Sequence, residues 1–212
     1  MSGVRHFSCA ALPVMPWKNG GGTTREVVCH PAGAGADAFD WRVSIATIAA
    51  GGPFSVFGGK QRVIMLLAGD GVRLQAPGFD HRLAAPHAPF AFAGDAAVQC
   101  TLLGGPSTDF NLMFDPARCT ASLRVLGAAE TLPASGGGVV LALHGAWACA
   151  AGEGGSAATV LAEGEGLWWT GELPAFAVAP RGGDARLAVV LCGSAVDSSG
   201  RKGLGPATGD GL

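Results

Sequence analysis

Apolar runs in this chain are short, and nearly every one ends at glycine or proline. Phe39 to Ile48 stops at Gly51-Gly52-Pro53, and Pro53 to Phe57 stops at Gly58-Gly59. Val63 to Ala68 stops at Gly69-Asp70-Gly71, a hairpin signal, after which Val72-Arg73-Leu74 returns. Interior glycine costs a helix roughly 1 kcal/mol and interior proline roughly 3 kcal/mol, so pieces this closely punctuated read as strands. The 35 glycines and 13 prolines, with only 14% charged residues against a usual value of roughly 25%, point the same way. Helices with charged outer faces need more Lys, Arg, Asp and Glu than this chain has.

Alternation assigns faces. In Trp41-Arg42-Val43-Ser44-Ile45, the residues Trp41, Val43 and Ile45 take one face, and Arg42 and Ser44 the other. In Asp109 to Phe114, Asp109, Asn111 and Met113 share a face opposite Phe110, Leu112 and Phe114. The second half reads as a worn copy of the first. Val139 to Gly145 echoes Val63 to Gly69, Ala175 to Val178 echoes Pro89 to Phe92, and Ala188 to Gly193 echoes Val98 to Gly104. Short strands given twice suggest two β-barrels or sandwiches. Residues 1–116 are expected to form an N-terminal barrel and 117–195 a C-terminal one, while the Gly/Ser/Asp-rich tail 196–212 has too few apolar residues to fold.

A net charge of −2 and scattered Lys and Arg give no basis for nucleic-acid or membrane-surface binding. No secretory signal and no membrane-spanning run is visible, so a cytoplasmic location is expected. The six cysteines are widely spaced without a CxxC pair, and several lie in apolar runs, as buried free thiols of a reducing compartment do. The five histidines form no His-x-His and lack a nearby strand-borne Glu, so no metal site is expected. No Gly-x-Ser-x-Gly and no phosphate loop occurs. The pair Trp168-Trp169, pointing to opposite faces of a strand, reads as packing.

Recognition groups concentrate in Met15-Pro16-Trp17-Lys18-Asn19-Gly20-Gly21-Gly22-Thr23-Thr24-Arg25-Glu26. Pro16 enters the segment as a bend and three glycines permit close backbone approach. If Arg42, Ser44, Asp109 and Asn111 face a barrel interior, they form a small polar pocket, with Arg62 at its mouth. An inward Arg42 would need a carboxylate, from Glu26, Asp109 or a ligand. The alternative is a sheet face open to water.

The stretch 15–26 resembles the signature of the HutD/Ves family of bacterial histidine-utilisation and stress-associated proteins. The likeness continues through Trp41 to Ala46, Gly52-Pro53-Phe54-Ser55-x-Phe57, Arg62 with its following strand, Gly69-Asp70-Gly71, Pro89-Phe90-x-Phe92-x-Gly94-Asp95 and Asp109 to Met113. It covers most of residues 10–115; the second half matches only in strand character. Gln61 stands where the family more often has Asp before the Arg. The resemblance implies an all-β bicupin, two cupin-like (RmlC-like jelly-roll) barrels with few helices and without the usual metal ligands or any other cofactor. It also implies a pathway acid such as urocanate or a formylated acid as ligand.

On that reading Arg42 and Arg62 pair with a small carboxylate. Lys18, Asn19, Thr24, Ser44 and Asn111 supply hydrogen bonds, Trp17 stacks on a planar ligand, and Glu26 and Asp109 fix the basic residues or accept a ligand N–H. The favoured expectation is a binding protein that tempers histidine utilisation rather than an enzyme. A metal-free hydrolase or isomerase with Glu26 or Asp109 as general base is the second expectation. A ligand-free interaction protein, dimerising through its second barrel, is the third.

Overall fold

The computed structural model describes residues 3–35, 38–151 and 158–195; the tail from 196 lies outside them. Among the described residues the chain is built of strands, with a single 3₁₀ turn at Cys9–Ala11. The first half holds β1 (Val4–Ser8), β2 (Met15–Pro16), β3 (Gly22–His30), β4 (Trp41–Ile48), β5 (Gly52–Pro53), β6 (Gln61–Ala68), β7 (Val72–Ala76), β8 (Phe79–Leu83), β9 (Pro89–Ala93), β10 (Gln99–Leu102) and β11 (Ser107–Phe114). The second holds β12 (Cys119–Leu126), β13 (Glu130–Leu132), β14 (Ser135–His144), β15 (Trp147–Ala151), β16 (Thr159–Leu161), β17 (Glu165–Leu173), β18 (Phe176–Pro180) and β19 (Arg186–Ser194).

These strands form four antiparallel sheets. In the first half the orders are β2-β3-β4-β11-β6-β9 and β5-β10-β7-β8; in the second they are β1-β17-β14-β19-β12 and β13-β18-β15-β16. Aligning the orders maps β4 through β11 onto β12 through β19, strand for strand and with the same neighbours. The duplication is therefore written in the pairing. Two of the expected echoes are corrected by it. Val139 to Gly145 does correspond to Val63 to Gly69, but β18 corresponds to β10 rather than to Pro89–Phe92, and β19 to β11 rather than to Val98–Gly104. Apolar strands look alike in sequence, and only hydrogen-bonding order separates them.

Alternation sorts the side chains into three cores. Trp41, Val43, Ile45, Met65, Phe110 and Leu112 meet Val139, Leu141, Ala188, Val190 and Cys192 between the two large sheets. Ile48, Ile64, Leu66, Leu74, Phe92 and Cys100 fill the interior of the first half. Trp147, Trp169, Leu132, Phe176, Leu187 and Val189 fill that of the second. Because each large sheet is covered on both faces, β6, β14 and β19 read as continuous apolar runs rather than as alternating ones. Trp169 lies in the second interior, while Trp168 packs on the opposite side under the guanidinium of Arg5, 5.5 Å from its ring centroid.

β1, within the residues 1–116 expected to form the N-terminal barrel, is instead an edge strand of the second half's large sheet. Its register is Val4↔Trp169 to Ser8↔Glu165. All six cysteines are free thiols.

Candidate functional site

The glycine-rich loop folds over the mouth of the first half's interior. Met15 and Pro16 pair with Thr24 and Thr23, so the loop between them is a closed excursion from the sheet. The Trp17 amide donates to the Gly22 carbonyl at 2.9 Å, the Gly20 amide to the Trp17 carbonyl at 3.0 Å, and the Gly21 amide to Asn19 Oδ1 at 3.0 Å. The indole of Trp17 donates to Thr24 Oγ1 at 2.8 Å, which fixes the ring. Gly22 is required by close approach: a Cβ there would sit 2.3 Å from the Thr47 carbonyl oxygen and 3.0 Å from the Trp17 ring. Arg25 points away and ties down the preceding segment, its Nη1 donating to the carbonyls of Cys9, Ala10 and Leu12.

Beneath this loop lies a cavity of about 460 Å³, within the range of roughly 300–1,000 Å³ usual for small-molecule sites. Trp17, Lys18, Asn19 and Thr24 form its rim, and Arg42, Ser44, Arg62, Asp109 and Asn111 its polar floor. Ala46, Ile48, Phe54, Phe57 and Met113 complete the walls. The strands explain the convergence: in the registers of β11 with β4 and β6, Asn111 lies opposite Ser44 and Met113 opposite both Arg42 and Arg62. The face bearing these polar residues closes into the barrel instead of meeting water.

Glu26 is the exception among the residues expected here. It does not line the cavity; its Oε2 accepts from Arg42 Nε at 2.8 Å. Its register opposite Ser44 gives it the inward parity of Thr24, but its carboxylate is engaged by Arg42. It therefore supplies the carboxylate that an inward Arg42 demands. Gln61 is exposed at the start of β6, apart from the cavity, so the departure from the family's usual Asp does not touch the pocket.

Arg62 reaches deeper than a mouth residue. It is 5% exposed, and its guanidinium lies 5.1–5.6 Å from the ring centroids of Phe54, Phe57 and Phe92, a cation–π cage. Its Nε has no protein partner, and neither do Asp109 Oδ1 and Asn111 Oδ1. Asp109 is 2% exposed and makes no ion pair with Arg62. Burial pushes its carboxyl up to about 7, opposed by the attraction of Arg62 and by its own backbone amide. Burial likewise lowers Arg62 to about 10, against the pull of Asp109, so it stays a cation.

Strand alternation gives no sign of the aromatic cage, although Phe54, Phe57 and Phe92 all stand in the resemblance blocks. Nor does it point to Lys60, which is buried, donates to Asp115 Oδ2 at 2.9 Å and lies 5.1 Å from the Phe39 ring centroid. Lys60 does not line the cavity. Among the described residues no group of three or more His, Cys, Asp or Glu is placed to hold a metal. One carboxylate beside two guanidinium groups is a poor donor set for a cation.

Fold and site together define a cupin-like β-barrel protein whose cavity presents arginines. The model of the HutD family matches residues 10–187, and the chain belongs to that family. It is 44% identical over 141 residues to an uncharacterized 21.2 kDa protein in the hutC 3′ region of Pseudomonas putida, covering 66% of this chain and 74% of that one. It is 46% identical over 146 residues to the protein Ves of Citrobacter koseri, covering 68% and 75%. Among solved structures, HutD from Pseudomonas fluorescens SBW25 superposes with a TM-score of 0.75 at 31% identity, covering 90% of this chain and 98% of that one. A conserved protein of unknown function from Pseudomonas aeruginosa PAO1 superposes with a TM-score of 0.80 at 34% identity, covering 91% and 100%. An oxalate decarboxylase and a salicylate 1,2-dioxygenase, at 9% identity, share the fold alone.

Proposed function

We propose that this protein binds a small carboxylate in the first barrel, without a metal, and thereby tempers the level of an acid of histidine utilisation. The observation that carries the reading is the buried Arg62, with an unpartnered Nε on the cavity floor beside Arg42. A guanidinium is the side chain best shaped to capture a carboxylate through paired N–H donors. Glu26 takes only Nε of Arg42, which leaves both Nη groups without a protein acceptor among the described residues. Trp17 offers a flat apolar face at the rim, suited to a planar acid such as urocanate. The relative from the hutC 3′ region, and a HutD structure obtained in a formate condition, support urocanate or a formylated acid as the ligand.

Isothermal titration with urocanate, histidine, formate and N-formylglutamate tests this. Saturable binding of one acid is expected, weakened at least tenfold in Arg42→Ala; no binding of any of them would overturn the reading. Asp109 favours a second reading, because a carboxyl that changes charge near neutrality suits a general base. Turnover of the bound acid that is lost in Asp109→Asn would establish it.

A further inference from the structure

Charges on the cavity floor are already balanced. Arg42 has Glu26 as its counter-charge at 2.8 Å. Among the described residues Arg62 has only Asp109, and no ion pair joins them. Asp109 sits on β11 opposite Ala46 of β4 and Leu66 of β6, so the chain directly beside it is uncharged. The ionisable groups facing it are Arg42 from β4, Arg62 from β6, the exposed Lys18 of the rim loop, and the Cys100 thiol of β10. Burial and Asp109 push that thiol up to about 11, so it stays neutral. Glu26 reaches the site only through Arg42.

A monoanion entering this floor would be the odd charge. With Asp109 ionised and Arg42 already neutralised by Glu26, a bound anion would leave one negative charge on the floor in excess, and an uncompensated buried charge is costly. Two carboxylates sharing a site drive one of them to hold a proton. The vacant Oδ1 of Asp109 has no protein donor to displace, so it is free to carry that proton and donate it to the ligand oxygen.

From this geometry, and resting on the carboxylate-binding reading above, we propose that Asp109 is an anion-binding residue that acts as a neutral acid. Each carboxylate bound takes up one proton from solvent, which is held between Asp109 Oδ1 and the ligand. Arg62 Nε donates to the same anion. No bond of the ligand is broken, and the proton returns to solvent on release. Because the carboxyl of Asp109 already sits near 7 when the site is free, the coupling is felt at neutral pH. Below that value Asp109 is protonated in advance and affinity is flat. Above it the proton must be captured with the ligand, and affinity falls about tenfold per pH unit.

The test uses the full chain titrated calorimetrically with formate, urocanate and N-formylglutamate at about pH 5.5 and about pH 8. Each titration is run in two buffers of different ionisation enthalpy. At the higher pH the heat should differ between buffers by close to one proton per ligand, and at the lower pH by close to none. In Asp109→Asn, the heat of whatever binding remains should show no buffer dependence, and its affinity a flat pH profile. Saturable binding whose heat is the same in both buffers at pH 8 would overturn the coupling and leave the carboxylate site standing. No binding at either pH would overturn both. The wild-type measurement decides by itself if the variant does not fold.

Discussion

Arg62 is the residue on which the site turns, and its setting separates shape from charge. Three aromatic rings surround a guanidinium whose Nε faces the cavity unpartnered. A lysine would keep the positive charge but lose the planar fork and the stacking, and burial would push it toward the neutral amine. Arg62→Lys is therefore expected to fold and to weaken carboxylate binding by roughly 10- to 100-fold, about the worth of one or two charge-assisted hydrogen bonds. Titration with the acid that binds wild type reads this directly; unchanged affinity would mean that Arg42 alone holds the anion. At this scale much of the site is legible in the sequence. Strand alternation places Arg42 and Ser44 on one face of β4, and Asp109 and Asn111 on one face of β11, because a period of two leaves no freedom. It does not say whether those faces close on a cavity or meet water, since that depends on partners far away in sequence. Alternation gives Glu26 the parity of the cavity face, opposite Ser44, but does not say that Arg42 takes up its carboxylate.

The loop between β2 and β3 is an element made rigid by its own hydrogen bonds, and Gly22 is where it touches the barrel. An added methyl group would collide with the Thr47 carbonyl oxygen and press on the Trp17 ring, which is itself fixed to Thr24. Neither neighbour is a flexible side-chain end. Gly22→Ala is expected to cost about 2 kcal/mol, in line with other overpacking substitutions. For a domain of this size that lowers Tm by roughly 4–8 °C. The rim should loosen as well, weakening ligand binding beyond the stability loss, which calorimetry and titration on one sample would read. A variant of unchanged Tm and affinity would show that the loop accommodates the methyl group. The importance of this stretch is legible from its density of recognition groups, and its bend from Pro16 and the glycines. The correspondence between the two halves is legible only for β6 and β14. The later echoes slip by one strand, because short Phe/Val/Ala strands carry no mark of their neighbours.

Across the whole molecule, the halves are tied twice. The two large sheets bury a common core, and β1 leaves the second half's sheet to lead through residues 9–14 into β2 of the first. No local pattern in Val4–Ser8 reveals its partner, because an edge strand's pairing is decided by what lies open at the end of folding. Phe7 is the link that tests this arrangement. It is 6% exposed within the shared core, and its ring lies so close to Gly166 that a Cβ there would come within 2.5 Å of it. Phe7→Ala removes the ring without disturbing the backbone pairing, and a buried Phe truncated to Ala typically costs about 3–5 kcal/mol. If the halves unfold separately, only the second should weaken. The shared core argues otherwise, since exposing one large sheet uncovers the apolar face of its partner and removes the burial that both depend on. Urea unfolding is therefore expected to remain a single transition in wild type and variant, with tryptophan fluorescence and far-UV circular dichroism coincident and the midpoint lower in Phe7→Ala. A split transition, with the portion holding Trp147 and Trp169 melting first, would show that β1 stabilises its own sheet alone and that the shared core contributes little to coupling the halves.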